Sequence, residues 1–179
     1  AFMLHLHRQI GMLGLATQPA ARQVLMIGLG AGTTSGVLAG RAGLSMDIIE
    51  LYPAVADAAR WFSTTNDGVL DRANVHVRFD DARNALPGLT KTYDLVVADT
   101  VRPHQAGAGY LYSAQYFQAA RRVLAPTGDM GQTLATRRLS FGFDAMEFSA
   151  HGDERESFGA MISLKDYPLR SVPGMLDGV

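Results

Sequence analysis

Four short stretches of this chain place residues capable of chemistry at the ends of apolar runs. Val24-Leu25-Met26-Ile27 leads into Gly28-Leu29-Gly30-Ala31-Gly32, and Ile48-Ile49 leads into Glu50. Val75 to Phe79 leads into Asp80-Asp81, and Tyr93 to Ala98 leads into Asp99. Glycines without Cβ let a backbone turn tightly and approach a ligand. Carboxylates accept hydrogen bonds from hydroxyl and amino groups or take up a proton. Acids that each follow an apolar run stand where strand ends meet a bound nucleoside, so the series reads as the address of a ligand.

Gly28, Gly30 and Gly32 follow a strand-like run and open a helix-like one, the context in which a glycine pattern implies binding. The spacing is G-x-G-x-G, with Thr33 where a dinucleotide fingerprint would put its third glycine, which argues against NAD or FAD. Glu50 follows Gly28 by roughly 20 positions, the separation from which a strand-end acid reaches both ribose hydroxyls. Its other reading is a solvated acid stabilised by the dipole of the next helix. An acid of the Asp80-Asp81 pair can accept from an adenine amino group. Side chains alternate along a strand, so one of the two faces the ligand and the other caps the helix that begins at Ala82. Asp81, followed by Ala82, is the expected ligand contact. Asp99 is the candidate for chemistry: partial burial raises a carboxylate's pKa toward a range useful for taking a proton from an amine. Its alternative is a structural acid that pins the following loop. That loop, Thr100 to Gly109, carries Arg102 and His104, and Tyr110 and Tyr112 stand at its far side. Together these residues point to an adenosyl sulfonium, S-adenosylmethionine or its decarboxylated form.

Other chemistries lack their residues. His5 and His7 stand two apart on a predicted helix, and His76 and His151 have no acid or histidine at ligand spacing, so no metal is expected. There is no G-x-S-x-G elbow and no P-loop lysine after the glycines. Without cysteine there is no disulfide framework or thiol nucleophile, which fits a reducing compartment, and the expectation is a cytoplasmic protein. A formal charge of −1 and only short arginine pairs, Arg121-Arg122 and Arg137-Arg138, disfavour nucleic acid. No apolar stretch approaches the roughly 20 residues of a membrane span.

The elements that must position these residues follow from periodicity. Phe2 to Leu15 places Met3, Leu6, Ile10 and Leu13 at helical spacing, so an amphipathic helix and linker occupy 1–20. The helix face needs a covering surface, its own sheet or a second copy in a homodimer. The rest, 21–179, reads as one nucleoside-binding unit, since a chain of 179 residues with 47% apolar content suits a single domain. Strands are predicted at Val24 to Ile27, Met46 to Leu51, Val75 to Phe79, Tyr93 to Ala98 and Met130 to Ala135. Helices are predicted at Thr33 to Arg41, from Pro53 to near Thr64, Ala82 to Leu86 and Ser113 to Leu124, with Pro126-Thr127-Gly128 as punctuation. Asp144 to Ala150 and Ser157 to Leu164 are predicted to pair antiparallel at the edge. Strands alternating with helices make an α/β fold, a doubly wound, mostly parallel sheet of about seven strands of the class I methyltransferase type, which binds ligands at the carboxyl ends of its strands.

With these residues in place the chain resembles the spermidine synthase family of aminopropyltransferases, especially its shorter spermidine synthase-like branch, from Gln9 to Leu169. The resemblance rests on Val24 to Gly32 with Thr33-Thr34, on Ile48-Ile49-Glu50 with Pro53, and on Asp80-Asp81-Ala82-Arg83. It continues through Tyr93 to Asp99, Leu111-Tyr112-Ser113 with Tyr116-Phe117, and Arg122 to Gly128 with Gln132. It implies that the glycine loop holds the methionine-derived tail, that Glu50 binds ribose, that Asp81 with Ala82 binds adenine, and that Asp99 deprotonates an amine acceptor. The implied reaction is attack by a small-molecule amine on the aminopropyl carbon beside the sulfonium, with methylthioadenosine leaving.

Ala31 stands where family members that make spermidine carry an aspartate, and Arg102 where they carry a second, diamine-gripping aspartate. A cation at that place suits an acceptor bearing a carboxylate, or the full tail of S-adenosylmethionine. The small N-terminal β domain of the family has no counterpart in these residues. The alternative readings are an S-adenosylmethionine-dependent methyltransferase and a nucleoside-binding module without transfer activity.

Overall fold

A computed structural model describes residues 2–99, 109–136 and 158–161. Strand β1 (Gln23–Ile27) lies in parallel between β2 (Ser45–Glu50) and β4 (Tyr93–Ala98). Strand β3 (Val75–Phe79) adds to β2 and β5 (Leu124–Thr136) adds to β4, both parallel. The short β6 (Phe158–Met161) pairs antiparallel with β5. The order across the sheet is β3-β2-β1-β4-β5-β6.

Alternation along the central strands feeds two cores, because successive side chains of a strand point to opposite faces. Val24, Met26, Met46, Ile48, Leu95 and Val97 belong to one core. It is closed by α1 (Phe2–Thr17), α2 (Thr33–Ala39) and α3 (Pro53–Arg60) through Ile10, Leu38, Ala56 and Ala59. Leu25, Ile27, Ile49, Val96 and Ala98 belong to the other. It is closed by α4 (Ala82–Gly88) and α5 (Ala114–Arg122) through Ala85, Leu86, Tyr116 and Phe117. Burial on both faces is why these strands read as continuous apolar runs. The connections from β1 and β2 run over the first face and those from β3 and β4 over the second. The crossover changes sides between β1 and β4, the switch point above whose strand ends sheets of this class bind ligands.

Local chemistry sets the helix starts. Pro53 is the first residue of α3, where its missing N–H leaves no bond unmade. Ser113 caps α5 by accepting from the Tyr116 amide at 3.2 Å. The face of α1 is covered by its own sheet: Ile10 is buried, and the Gly14 backbone lies against Leu95, Val97 and Leu38. Gly11 permits the close seat of α1 on α2, since a Cβ there would fall 2.8 Å from Cβ of Val37.

Two expectations reach beyond the described residues and one is revised. Six of the expected seven or so strands fall among the described residues. The predicted antiparallel partner at 144–150 lies outside the described residues, and β6 pairs with β5 itself. Pro126-Thr127-Gly128 does not separate helix from strand: β5 begins at Leu124, and its register on β4 jumps from Leu124 beside Tyr93 to Asp129 beside Leu95. The extra residues are accommodated as a bulge, which lets turn-forming residues sit inside a strand.

A backbone clamp holds α2 against the turn after α3. A Cβ on Gly36 would lie 2.2 Å from the Asn66 carbonyl oxygen and 2.7 Å from its carbon, with no flexible side chain to give way. We expect Gly36→Ala to cost about 1–3 kcal/mol or more, the range for overpacking, read as a lowered midpoint in thermal unfolding. Gly88→Ala, where an added Cβ meets nothing within 4 Å, should stay close to the starting midpoint.

Candidate active site

The parallel register sets Ile27 beside Ala98 and beside Ile49. The glycine turn after β1 thus rises between Glu50 at the end of β2 and Asp99 at the end of β4. Gly28, Gly30 and Gly32 all have positive φ, at 84°, 53° and 81°. Those are conformations a side chain disfavours, which is why glycine recurs there. An added Cβ on Gly30 would meet no atom within 4 Å, so the top of the turn is open to an approaching ligand.

Glu50 is the buried acid of the site, 7% exposed. Its Oε2 accepts from the Leu29 amide at 2.8 Å and its Oε1 from the Tyr52 amide at 3.0 Å. A buried carboxylate is costly unless it is hydrogen-bonded, and here the compensation comes from the glycine turn itself. Glu50 therefore fixes the turn from below, and each oxygen retains a lone pair for a further donor. Asn66, also buried, holds the turn from the other side: its Nδ2 donates to the Ala31 carbonyl at 2.9 Å and to the Ala59 carbonyl at 2.8 Å.

At the end of β3 the division of labour differs from the expectation. Asp81, not Asp80, caps α4: its Oδ1 accepts from the Arg83 amide at 2.9 Å. Asp80 pairs instead with Arg78. The second oxygen of Asp81 is bound by the Arg83 guanidinium at 2.8 Å from Nε, and this bond holds the Asp81 carboxyl below the usual carboxylate range. Asp81 turns inward because it must reach the free amides of the first helical turn, a demand that alternation along β3 does not foresee. Ala82, the first residue of α4, is buried behind it.

Arg83 connects this corner to the far side of the site. Its guanidinium carbon lies 5.9 Å from the centre of the Tyr110 ring. Tyr110 and Tyr112 lie in a single 3-10 turn, Gly109–Tyr112, in place of the expected loop end and directly before α5. The Tyr110 ring meets Tyr116 edge-on at 6.3 Å, whereas Tyr112 is buried, at 6% exposure. Arg102 and His104 lie outside the described residues.

Asp99 does not stand alone. Its Oδ2 receives two hydrogen bonds of 2.6 Å, one from Thr34 Oγ1 on α2 and one with His7 Nδ1 on α1. Thr34 Oγ1 also lies 3.1 Å from the His7 carbonyl oxygen, and its single proton goes to the nearer, charged acceptor. The hydrogen bond to Asp99 raises the His7 pKa against the opposing effect of burial. His7 and Thr34 are site residues that sequence reasoning missed. His7 lies 92 positions from Asp99 and carries no motif, and Asn66 reads in sequence only as part of a turn.

The doubly wound sheet with acids at its strand ends is a Rossmann-like fold of the class I methyltransferase type. The family model described as "Spermine/spermidine synthase domain" matches residues 3–132, and the chain belongs to that family. It is 37% identical over 120 residues to a polyamine aminopropyltransferase of Mycobacterium tuberculosis, covering 64% of this chain and 23% of that protein. It is 27% identical over 123 residues to a polyamine aminopropyltransferase of Clostridium perfringens, covering 68% of this chain and 43% of that one. The chain thus spans less than half the length of these relatives. Among solved structures, spermidine synthase from Thermotoga maritima superposes with a TM-score of 0.70 at 16% identity, covering 93% of this chain and 62% of that one. A spermidine synthase in complex with the transition state analogue AdoDATO gives 0.65 at 20% identity, covering 74% of this chain and 45% of that one. The O-methyltransferase from Bacillus cereus in complex with SAH gives 0.54 at 19%, covering 72% and 56%. At these identities the likeness is one of fold.

The His7–Asp99 pair gives a signed pH dependence of stability. The folded chain holds the His7 proton more tightly than the unfolded chain does, so the contribution is full below the unfolded imidazole value of about 6.5. It is lost as pH rises through the raised folded value. The melting advantage of the parent over His7→Gln should therefore be largest below about pH 6.5 and shrink as pH rises above it in differential scanning fluorimetry. A difference that stays constant as pH rises would contradict a titrating pair.

Proposed function

We propose that this chain binds an adenosyl sulfonium and supports transfer of its aminopropyl group to a small-molecule amine. The observation that carries the reading is the convergence of the glycine turn, Glu50 and Asp99 at one edge of the sheet, in a chain of the spermine/spermidine synthase family. In this reading Gly28, Gly30 and Gly32 give the donor's tail close access to the backbone. Glu50 uses its remaining lone pairs for the ribose hydroxyls. Asp81 and Ala82 flank the adenine, and Arg83 must release the Asp81 oxygen it now holds before an adenine amino group can use it. Arg102, Tyr110 and Tyr112 border the acceptor, and 21–179 acts as one nucleoside-binding unit behind the helix and linker of 1–20.

The donor fits the turn on two counts: the open space above Gly30 and the unsatisfied capacity of the Glu50 oxygens. Decarboxylated S-adenosylmethionine is the donor the family relationship favours; a cation at Arg102 suits the carboxylate of S-adenosylmethionine itself. Chemistry requires an amine lone pair, so a proton must leave the acceptor, and Asp99 is the anionic centre that accounts for its removal. The nitrogen then attacks the carbon next to sulfur, and the carbon–sulfur bond breaks with its electron pair going to sulfur. Methylthioadenosine leaves as a neutral thioether.

Incubation with each donor and a panel of primary amines, followed by chromatography, separates the readings. Methylthioadenosine supports aminopropyl transfer and S-adenosylhomocysteine supports methyl transfer. A rise in melting temperature with ligand but no product supports a binding module. Asp99→Asn should keep that thermal shift while turnover falls about 10²–10⁴-fold, the scale of lost general base catalysis; undiminished turnover would remove Asp99 from the reaction.

A further inference from the structure

Asp99 is held by two side chains from two different helices. Oδ2 of Asp99 receives Thr34 Oγ1 and His7 Nδ1 at 2.6 Å each, so that oxygen carries no proton of its own. The Nδ1 of His7 must then be the protonated nitrogen, since it faces an acceptor. When the ring is neutral, its lone pair lies on Nε2, at the opposite edge. Among the described residues Nε2 has no hydrogen-bond partner, and the His7 side chain is 32% exposed against 11% for Asp99. The carboxylate is thus the sheltered member and the imidazole the accessible one. His7 is seated by α1, whose close approach to α2 is permitted by Gly11 and which brings its backbone to the Thr34 hydroxyl of the same cluster.

We infer that His7 and Asp99 act as one base, in which Asp99 orients the imidazole and His7 Nε2 receives the proton of the acceptor amine. This deepens the proposed transfer reaction and rests on it. An acceptor ammonium N–H bond breaks as the Nε2–H bond forms; imidazole becomes imidazolium, balanced by Asp99, and the amine lone pair is freed to displace the thioether. The arrangement suits the task because an imidazole beside a carboxylate holds a proton near neutral pH, where an isolated carboxylate is a weak base toward an ammonium group. The raised His7 pKa accords with this pairing. The charged groups facing the His7 ring from the described elements reduce to Asp99, the residue after β4. Its chain neighbour Arg8 is directed away, toward Asp67 at 3.6 Å, and Thr34 of α2 is uncharged.

The test combines pH–rate profiles with NMR titration of the His7 ring, its resonance assigned by its loss in His7→Gln. Glutamine keeps an N–H donor for Asp99 and has no titrating nitrogen. In His7→Gln we expect the donor-induced thermal shift to survive, kcat to fall at least about a hundredfold, and the acid limb of the parent profile to vanish. In the parent, that limb should coincide with the His7 titration midpoint, and Asp99→Asn should lower this midpoint. Retention of kcat within about threefold and of the same limb in His7→Gln would reduce His7 to a brace and leave Asp99 as sole base. An identical His7 midpoint in parent and Asp99→Asn would show that the two do not form a unit, whatever the turnover. A parent chain that binds donor but forms no transfer product overturns the transferase reading and the proton step with it, whereas the pairing is still decided by the NMR midpoints.

Discussion

The constraint on which the rest of this molecule depends is the parallel register of β1 with its two neighbours. Ile27 lies beside Ala98 on one side and Ile49 on the other. The residues that follow these three positions must therefore emerge together at one edge of the sheet. Because the helical crossovers change faces between β1 and β4, that edge is the switch point at which doubly wound sheets bind their ligands. The glycine turn, Glu50 and Asp99 occupy this edge because of strand pairing, not because they attract one another.

Desolvation then decides how the acids are used. Glu50 is buried, and a buried carboxylate needs donors. It finds them in the amides of Leu29 and Tyr52, so the acid and the turn stabilise each other. Asp81 stands nearer the surface and meets a different demand, the free amides at the start of α4, with Arg83 as counter-charge. Asp99 draws a hydroxyl and an imidazole from two helices of the same face. Three carboxylates in similar sequence contexts thereby acquire three environments: a turn lock, a helix cap and a histidine partner. Their capacities for ligand binding and proton transfer differ accordingly.

The cost of positioning falls on α1 and α2. Gly11 removes the bulk that would keep the two helices apart, and Gly36 removes the bulk that would push α2 off the turn at Asn66. Asn66 in turn holds the Ala31 carbonyl of the glycine loop. The loop is thus fixed from below by Glu50 and from the side by Asn66, while its outer surface at Gly30 stays open. Such preorganisation limits the ordering that a ligand would otherwise have to impose.

The sequence by itself determined the strands and helices up to β5, the doubly wound class and the strand-end edge, because burial on both faces leaves continuous apolar runs and turns demand glycine, proline and aspartate. It placed Gly28, Gly30, Gly32, Glu50 and Asp99 at strand ends for the same reason: each sits at the end of a legible run. Interactions that join distant segments were not legible. Which member of the Asp80-Asp81 pair caps α4 depended on the geometry of the helix start, and the insertion of Pro126 to Gly128 within β5 depended on pairing with β4. Only the tertiary structure decided that the apolar face of α1 packs on its own sheet, which brings His7 across 92 positions to Asp99. A periodic pattern specifies that a face must be buried, but not against what, and the partner chosen here is what gives the strand-end carboxylate its histidine.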